Sequence, residues 1–219
     1  MTFLVLFDVD GTLLLTHDEV YVDANHDALE AVWGITPEGP DVPGETALAH
    51  TRRALRSAGL SDAEIERGMQ RWCDAFSQRY VELLARADTS GWRVAGDAAD
   101  SIPRLERRAL LTGNPEAVAR ARLERLGLGG LFPSGQGAFG CEREERIELF
   151  ELARERAGGW PAERTVAVGD TPRDIESAHA AGARCVAVAT GAYSTEELAG
   201  ADAVIAVLRE LPAVLKTLG

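Results

Sequence analysis

Lysine is almost absent from this chain of 219 residues: of its 23 basic side chains, only Lys216 is a lysine and the rest are arginines. Positive charge is scarce as a whole, because 35 acidic residues leave a formal net charge of -12. Binding to nucleic acid or to an anionic membrane surface requires basic patches, so this composition argues against both. Any cationic role before the last few residues therefore falls to arginine.

Long apolar runs are also missing, and none approaches the length needed to span a membrane. The amino terminus enters an apolar stretch directly, without a basic start or a cleavage site. Hydrophobic residues still make up 46% of the chain, which is enough to bury a sizeable core. We expect a soluble, cytoplasmic monomer or homodimer, built as one large domain or as a core with an insertion.

Cysteine is infrequent, with Cys73, Cys141 and Cys185 widely spaced along the chain. The spacing matches no metal-ligand pattern, and the odd number leaves at least one thiol unpaired. We interpret all three as reduced thiols of an intracellular protein.

The most informative stretch that is present is FLVLFDVDGTLLL, residues 3–15. Its first five residues are apolar, as in a strand buried on both faces of a parallel sheet. Asp8 and Asp10 follow, and residues two apart in extended backbone point to the same side, so both carboxylates can face one crevice. Gly11 then permits a sharp turn. The plain alternative is a strand that ends in an ordinary Asp-Gly turn.

Helical periodicity alone is found from about residue 18 to residue 88. An apolar stripe at helical spacing, typical of core packing, is formed by Trp72, Phe76, Tyr80, Leu83 and Leu84. Ser61 and Glu64 have the spacing of a capping box. The predicted helices of this part cover residues 23–33, 47–58 and 63–87.

Beyond residue 92, apolar strands alternate with helices, which predicts a doubly wound parallel sheet that the first strand joins. The predicted strands cover residues 109–111, 165–168, 185–189 and 203–205. The predicted helices cover residues 115–126, 145–157, 172–181, 196–199 and 207–218.

Two further polar clusters follow strands of this sheet. Thr112 ends the first of them, and we predict Asn114 as a helix N-cap with Pro115 in the first helical position, an arrangement that suits a phosphate oxygen but also a merely well-capped helix. Asp170 and Asp174 come after the second strand, where either could also serve only the helix terminus.

Together, Asp8, Asp10, Asp170 and Asp174 place four carboxylates at neighbouring strand ends. Such a cluster is repulsive unless a cation compensates it. A hard divalent ion with oxygen ligands resolves the repulsion, and Mg²⁺ suits a site that also holds phosphate.

Three motifs in this order, DVDGT (8–12), LLTGN (110–114) and GDTPRD (169–174), resemble the haloacid dehalogenase-like (HAD) hydrolase superfamily, specifically its phosphoglycolate phosphatase-like branch. The resemblance implies an α/β fold with a doubly wound, Rossmann-like parallel sheet and an inserted α-helical cap domain. The catalytic core would comprise residues 1–15 and 91–219, and the cap residues 16–90.

The resemblance further implies a role for each matching residue. Asp8 would be the nucleophile that forms an aspartyl-phosphate, and Asp10 the general acid and base. Thr112 would hold the transferring phosphoryl group. The implied metal ligands are Asp8, the backbone carbonyl of Asp10, and Asp170, with Asp174 either as an outer ligand or as a residue that supports the ligands. The implied substrate-binding residues are Gly11, Thr12, Gly113 and Asn114, with Gly44, Glu45 and Thr46 from the cap.

The sequence departs from the family pattern at two places. The family normally has a lysine between the second and third motifs; here we predict that Arg146 replaces it, with Arg143 as the second candidate. In the cap segment PGET, Glu45 stands where a basic residue is usual, and it would repel a phosphate unless Arg52 or Arg53 compensates it.

We therefore predict a Mg²⁺-dependent phosphatase that hydrolyses a small phosphorylated metabolite through an aspartyl-phosphate. A phosphomutase shares the same aspartates and is the first alternative. A phospho-accepting signalling module is disfavoured, because such modules use a strand-end lysine and lack a cap. A catalytically weak, phosphoryl-binding relative is the remaining alternative, favoured by the missing lysine.

Overall fold

The computed structural model describes residues 2–37 and 42–219. Its strands form a single parallel sheet: β1 (Leu4–Phe7), β2 (Arg107–Thr112), β3 (Ala138–Phe139), β4 (Thr165–Gly169), β5 (Arg184–Val188) and β6 (Ala203–Ile205). The strand order is β3-β2-β1-β4-β5-β6, so that β1 lies in the interior of the sheet, between β2 and β4.

The α-helices within the described residues begin and end as follows: α1 (Glu19–Trp33), α2 (Ala47–Ser57), α3 (Asp62–Leu84), α4 (Ala98–Ser101), α5 (Glu116–Arg125), α6 (Arg146–Arg156), α7 (Pro172–Ala180) and α8 (Leu211–Thr217). Lys216 lies, exposed, in the last turn of α8.

Alternate side chains of β1 enter two different hydrophobic layers. Val5 and Phe7 belong to a buried cluster that includes apolar residues of α5 and α8. Leu4 and Leu6 belong to a second cluster, with residues of α6 and α7. Helices therefore cover both faces of the sheet, which explains why β1 is apolar at every position. This confirms the predicted doubly wound α/β sheet.

Helices α1, α2 and α3 are inserted between β1 and β2 and share a third hydrophobic cluster. Of the predicted stripe, Trp72, Phe76, Tyr80 and Leu84 are buried there, and Leu83 is partly buried. Ser61 and Glu64 form the predicted capping box of α3. The chain thus has the predicted helical insertion, which we call the cap, while its exact division at residues 15/16 and 90/91 stays a prediction.

Some elements differ from the prediction. Strand β3 was missed, because two apolar residues give no recognisable period. Residues 196–199 form turns rather than a helix, and residues 207–218 divide into a 3-10 turn (Leu208–Glu210) followed by α8. Helix α1 begins at Glu19, four residues before the predicted start, because Asp18 accepts a hydrogen bond from the backbone of Val20.

The expectation of three reduced thiols is wrong. Cys73 on α3 and Cys141 after β3 form a disulfide across 68 positions, with Cα atoms 6.2 Å apart. Cys185 is the free cysteine, and it is buried. The sequence did not indicate the pair because the packing of the cap against the core brings the two residues together, whereas local spacing does not.

Within the described residues, no helix combines the length and the apolar composition required to cross a lipid bilayer.

Candidate active site

A cavity of about 590 Å³ lies at the carboxyl ends of β1, β2 and β4, where open α/β sheets bind ligands. Residues 42–46 of the cap, which we call the docking loop, form one of its walls. The core contributes polar side chains to the opposite wall. They include Asp8, Asp10, Thr112, Asn114, Arg122, Arg146, Asp170 and Thr171.

Three of the four predicted metal-binding carboxylates lie together in this cavity or beneath it. Asp8 directly follows β1, Asp170 directly follows β4, and Asp174 lies in the first turn of α7. One oxygen from each lies within 4.8 Å of the other two, and all three residues are buried. We call this set the acidic cluster. Asp174 is held by its reciprocal capping bonds with Thr171, the N-cap of α7.

Gly11 is required beside this cluster for two reasons. Its φ of +70° is in the left-handed region, which residues other than glycine rarely adopt. A β-carbon at this position would lie 2.1 Å from the Oδ2 atom of Asp170. The turn after β1 therefore brings backbone directly against the acidic cluster, as the motif suggests.

Burial dominates the electrostatics of the cluster. It raises the pKa of Asp8 to about 7, against the lowering effect of Arg146 and with further raising effects from Asp174 and Asp10. Burial likewise raises the pKa of Asp170 to about 8, assisted by the charges of Asp8 and Asp174. The carboxylates therefore compete for a proton unless a cation lies among them.

Arg146, at the start of α6, is the arginine that reaches the cluster. Its Nη2 atom lies 2.5 Å from Asp174 Oδ1 and 3.4 Å from Asp8 Oδ1, and its Nη1 donates to the backbone carbonyl of Gly44 at 3.3 Å. Burial acts to lower its pKa, but Asp174 and Asp8 raise it above the usual value, so the side chain is a permanent cation. Arg143, the second candidate, is exposed and donates to the carbonyl of Glu142 instead.

The donor set of the cluster fits a divalent cation. When all three carboxylates are ionised, they and the one guanidinium carry two net negative charges in a buried site, and all candidate ligands are oxygen atoms. Hard cations such as Mg²⁺ and Ca²⁺ prefer such ligands. The buried Nε of Arg146 has no hydrogen-bond partner among the described residues, so the site also retains an unused donor.

The Asp10 carboxylate lies outside the acidic cluster, although the sequence grouped all four aspartates. Its Oδ2 accepts a 2.6 Å hydrogen bond from Asn114 Nδ2, and both of its oxygens lie 3.0 Å from Nη1 of Arg122. Only its backbone carbonyl is therefore left for the predicted metal contact.

Asn114 was wrongly predicted as a helix N-cap. Pro115 occupies the N-cap position of α5, without a side-chain capping bond. The Asn114 amide instead bonds to Asp10 and to the Thr112 hydroxyl, at 2.6 and 2.9 Å. These contacts between side chains replace the capping bond that a local reading of Asn-Pro favours.

The other predicted site residues of the core, Thr112, Thr12 and Gly113, make different contacts. Thr112 is buried and lines the cavity, while its contact with a phosphoryl group stays a prediction. Thr12 is buried too, but its hydroxyl donates to Asp170 Oδ1 at 3.2 Å, so it supports the acidic cluster. Gly113 forms the cavity floor where the docking loop approaches; a β-carbon there would lie 2.3 Å from the carbonyl oxygen of Glu45.

The docking loop is fastened to the core by hydrogen bonds. The Thr46 hydroxyl donates to the carbonyl of Glu144 at 2.6 Å, and the Ala47 amide donates to the carbonyl of Gly113 at 2.8 Å. Gly44 contributes its carbonyl to Arg146. The cap segment is thus closed over the cavity in this structure.

Glu45 is compensated by one of the two arginines that the sequence offered. Arg53 pairs with it through Nη2 and Nε at 2.9 and 3.3 Å, and His50 Nδ1 lies 3.5 Å away. Arg52 instead forms ion pairs with Glu144 and Glu66. The unusual acid of this loop therefore belongs to a cap ion pair at the cavity wall.

Comparison with known proteins agrees with this geometry. Residues 4–182 match the family model of the haloacid dehalogenase-like hydrolases. The chain belongs to this family.

Proteins of known name resemble this chain in sequence and in structure. A phosphoglycolate phosphatase of Synechococcus elongatus is 28% identical over 201 residues, which cover 90% of this chain and 88% of that protein. One of Pseudomonas syringae pv. syringae is 26% identical over 203 residues, 86% of this chain and 70% of that protein. The structure of CbbY from Rhodobacter sphaeroides in complex with phosphate superimposes with a TM-score of 0.70 at 25% identity and covers 99% of this chain and 100% of that chain. The family match confirms the resemblance, and these relatives support the predicted enzyme class, a phosphatase.

Sequence reasoning missed a polar group at the cavity: Arg122 and Asp18 line it, and Tyr80 contacts both of them. Arg122 lies on α5 and contacts Asp18, the N-cap of α1, through Nε at 2.8 Å. The Tyr80 hydroxyl donates to the same Asp18 oxygen at 2.7 Å. The one signal in the sequence was that Arg122 occupies a core-facing position of α5. The neighbouring sequence did not indicate which residues it contacts.

Proposed function

We propose that the protein is a Mg²⁺-dependent phosphatase that hydrolyses a small phosphate monoester through an aspartyl-phosphate on Asp8. The observation that carries the proposal is the position of Asp8. Asp8 directly follows the interior strand β1, and its carboxylate shares the acidic cluster with Asp170 and Asp174 and lies 3.4 Å from the permanent cation of Arg146. A nucleophilic carboxylate flanked by positive charge is the central requirement of phosphoryl transfer to aspartate.

In the first half-reaction, an oxygen of Asp8 attacks phosphorus. The bond from phosphorus to the ester oxygen breaks, its electron pair leaves with that oxygen, and the oxygen takes a proton from Asp10. Arg146 stabilises the charge that builds up on the phosphoryl oxygens, and the Thr112 hydroxyl donates to one of them.

In the second half-reaction, Asp10 acts as the base. It takes a proton from water, whose oxygen attacks phosphorus and breaks the bond to Asp8, so that inorganic phosphate is released and both aspartates return to their initial states. The half-exposed position of Asp10 suits this role, because its carboxylate faces the cavity, where water and the leaving group must both reach it.

Asp8, Asp170 and the backbone carbonyl of Asp10 would hold the Mg²⁺ ion, with Asp174 beside them. When bound, the ion supplies positive charge that favours the ionised form of Asp8 and neutralises phosphoryl oxygens. Asp174 also positions Arg146, because Arg146 Nη2 donates to Asp174 Oδ1 at 2.5 Å.

A small metabolite is the substrate class that fits the cavity. About 590 Å³ beneath a docking loop leaves room for a phosphoryl group and a compact leaving group. Phosphoglycolate is the first compound to test, because relatives that cover most of this chain are named for its hydrolysis. The Glu45–Arg53–His50 group at the loop would discriminate among leaving groups.

Hydrolysis of p-nitrophenyl phosphate tests the chemistry. The wild-type protein should turn over with Mg²⁺ and stop with EDTA, and Asp8→Asn should abolish turnover. Asp10→Asn should still form the aspartyl-phosphate from this good leaving group but hydrolyse it slowly, so that acid-stable phosphoprotein accumulates. Turnover that survives Asp8→Asn would overturn the proposal. Turnover that requires an added sugar bisphosphate would indicate a phosphomutase.

We further propose that the enzyme works in the cytoplasm, as a monomer or homodimer. The net charge of -12 supports this location, because it disfavours attachment to anionic membranes or nucleic acid, whereas the Cys73–Cys141 disulfide is unusual for a reducing compartment. Fractionation of cells that express a tagged chain would test the location, and light scattering of the purified protein would test the assembly. Recovery in a membrane fraction would contradict the proposed location. An assembly larger than a dimer would contradict the proposed oligomeric state.

A further inference from the structure

Arg122 is the most deeply buried cation of the cavity that the phosphatase mechanism leaves unused. Only 3% of its side chain is exposed, although it belongs to α5, a helix that otherwise covers one face of the sheet. A guanidinium in such surroundings is costly to bury unless its donors are paired. Its partners should therefore reveal why it is there.

The first partner is Asp10. Nη1 of Arg122 lies 3.0 Å from each carboxylate oxygen of Asp10 and also donates to Asn114 Oδ1 at 3.0 Å. Asn114 in turn donates its amide to Asp10 at 2.6 Å. Two buried side chains thus fix a carboxylate that is itself 52% exposed, and a residue with that much solvent access would otherwise sample several rotamers.

The second partner belongs to the cap. Arg122 Nε lies 2.8 Å from Asp18, which caps α1, and the hydroxyl of Tyr80 on α3 donates to the same carboxylate at 2.7 Å. The rings of Tyr21 and Tyr80 also lie near the guanidinium, with centroids at 4.8 and 5.6 Å. One guanidinium therefore joins helices α1 and α3 of the cap to Asp10 of the core.

Arg122 and Tyr80 keep their charge states over the working pH range. Burial acts to lower the pKa of Arg122, but Asp10, Tyr80 and Asp18 raise it above its usual value. Burial raises the pKa of Tyr80 well above its usual value, so its hydroxyl keeps its proton. Movement of the cap therefore changes the distances within this connection, whereas Arg122 stays charged and Tyr80 stays neutral.

We propose that Arg122 is a positioning residue for Asp10, which makes the orientation of the general acid–base depend on the docking of the cap. The inference rests on the proposed function, in which Asp10 protonates the leaving group. With α1 and α3 docked, Asp18 and Tyr80 hold Arg122, and Arg122 holds Asp10 towards the ester oxygen. When the cap opens, the contacts from Asp18 and Tyr80 are lost, and Asp10 is released together with them.

The dependence of kcat/KM on the leaving group tests this role. For an aspartyl-phosphate mechanism, kcat/KM covers the steps up to departure of the alcohol, so it reports on Asp10 as an acid. Phenyl phosphates with and without a p-nitro group have nearly the same shape. The unsubstituted phenol is the poorer leaving group, so hydrolysis of its ester depends more on a proton donated to the leaving oxygen. A misplaced Asp10 should therefore harm the phenyl ester most, whereas damage to the fold should harm all esters equally.

The informative variants are Arg122→Met and Arg122→Lys, with Arg125→Met as the matched control. Arg125 lies on the same helix and donates to the cap carbonyl of Leu84, but has no contact with Asp10. In Arg122→Met, the loss of kcat/KM should be about ten times or more greater for phenyl phosphate than for p-nitrophenyl phosphate. An effect of this size is part of the usual contribution of a general acid. Arg122→Lys, which keeps the charge, should show a smaller difference of the same sign. Arg125→Met should keep the wild-type ratio.

Each result decides one of the two proposals. Equal losses on all esters in Arg122→Met would overturn the positioning role while leaving the phosphatase proposal intact. If Arg122→Met fails to fold, a wild-type ratio in Arg122→Lys would overturn the role in the same way. Failure of the wild-type protein to hydrolyse any of the esters would overturn the proposed function, and the inference with it.

Discussion

Nη2 of Arg146 lies 2.5 Å from the Asp174 carboxylate, in a position that leaves the same guanidinium 3.4 Å from Asp8. A buried pair of this kind is held in place by the capping box of α7, because Thr171 fixes Asp174 from the other side. The cation that faces the nucleophile is therefore positioned by a helix terminus on the opposite side of the site.

Replacement of Arg146 by Met should lower kcat for p-nitrophenyl phosphate by about a hundredfold or more, because it removes the charge beside the phosphoryl group. Arg146→Lys keeps a cation and should retain more of the activity. Arg143→Met is the control, since Arg143 is exposed and should change activity little. Equal activity of Arg146→Met and Arg143→Met would contradict the assignment.

Stability without metal should fall as pH rises from about 5.5 to 8. Burial raises the folded-state pKa of Asp8 to about 7 and of Asp170 to about 8, above the ordinary value of 3.8. Carboxyls with raised values favour the folded state below their unfolded pKa and lose that contribution as pH rises through the folded pKa. Mg²⁺ should therefore increase Tm more at pH 8 than at pH 5.5, as calorimetry in EDTA and in excess Mg²⁺ would measure.

Asp170→Asn is the control for this experiment. It removes one charge from the acidic cluster, so the metal-free variant should lose less stability with pH, and Mg²⁺ should raise its Tm less. A gain from Mg²⁺ that is the same at both pH values in the wild-type protein would contradict the electrostatic account.

Reduction of Cys73–Cys141 should lower the free energy of unfolding by roughly 4 kcal/mol, in the chain-entropy account of a long closed loop. Thiol titration in denaturant should find one reactive cysteine before reduction and three afterwards. Burial raises the pKa of Cys185 well above its usual value, so this thiol should be unreactive while the protein is folded. Three thiols without reduction would contradict the disulfide.

Gly113→Ala should weaken catalysis without unfolding the core, because a β-carbon 2.3 Å from the Glu45 carbonyl pushes the docking loop away. We expect kcat/KM to fall by about tenfold or more, a penalty typical of a displaced binding element. Gly130→Ala is the matched control: a β-carbon there meets nothing within 4 Å, so activity should not change. Wild-type kcat/KM in Gly113→Ala would show that loop contact is dispensable.

The sequence alone predicted the parts of this protein that depend on local order. Asp8, Asp170 and Asp174 converge because each follows an apolar strand or opens the next helix, and parallel strands end at one edge. Arg146 was predicted because the lysine was missing and few basic residues stood at the start of a helix.

The rest depends on contacts that no local pattern records. Asp10 separates from the other aspartates because Arg122, 112 positions later, attracts it. Tyr80 was assigned to an apolar stripe, which is correct for its ring, while its hydroxyl makes a polar contact with Asp18. Strand β3 and the disulfide were missed for a similar reason: a two-residue strand has no period, and a cysteine pair across 68 positions has no spacing rule.

The disulfide also changes how the cap is attached to the rest of the molecule. Two stretches of backbone connect the helical insertion to the sheet, and Cys73–Cys141 adds a third covalent connection that closes a ring containing residues 74–140. A protease that cuts the backbone once inside this ring, for example near the exposed Arg93, does not divide the protein into two molecules. The nicked enzyme remains one covalent species until a reductant opens the ring.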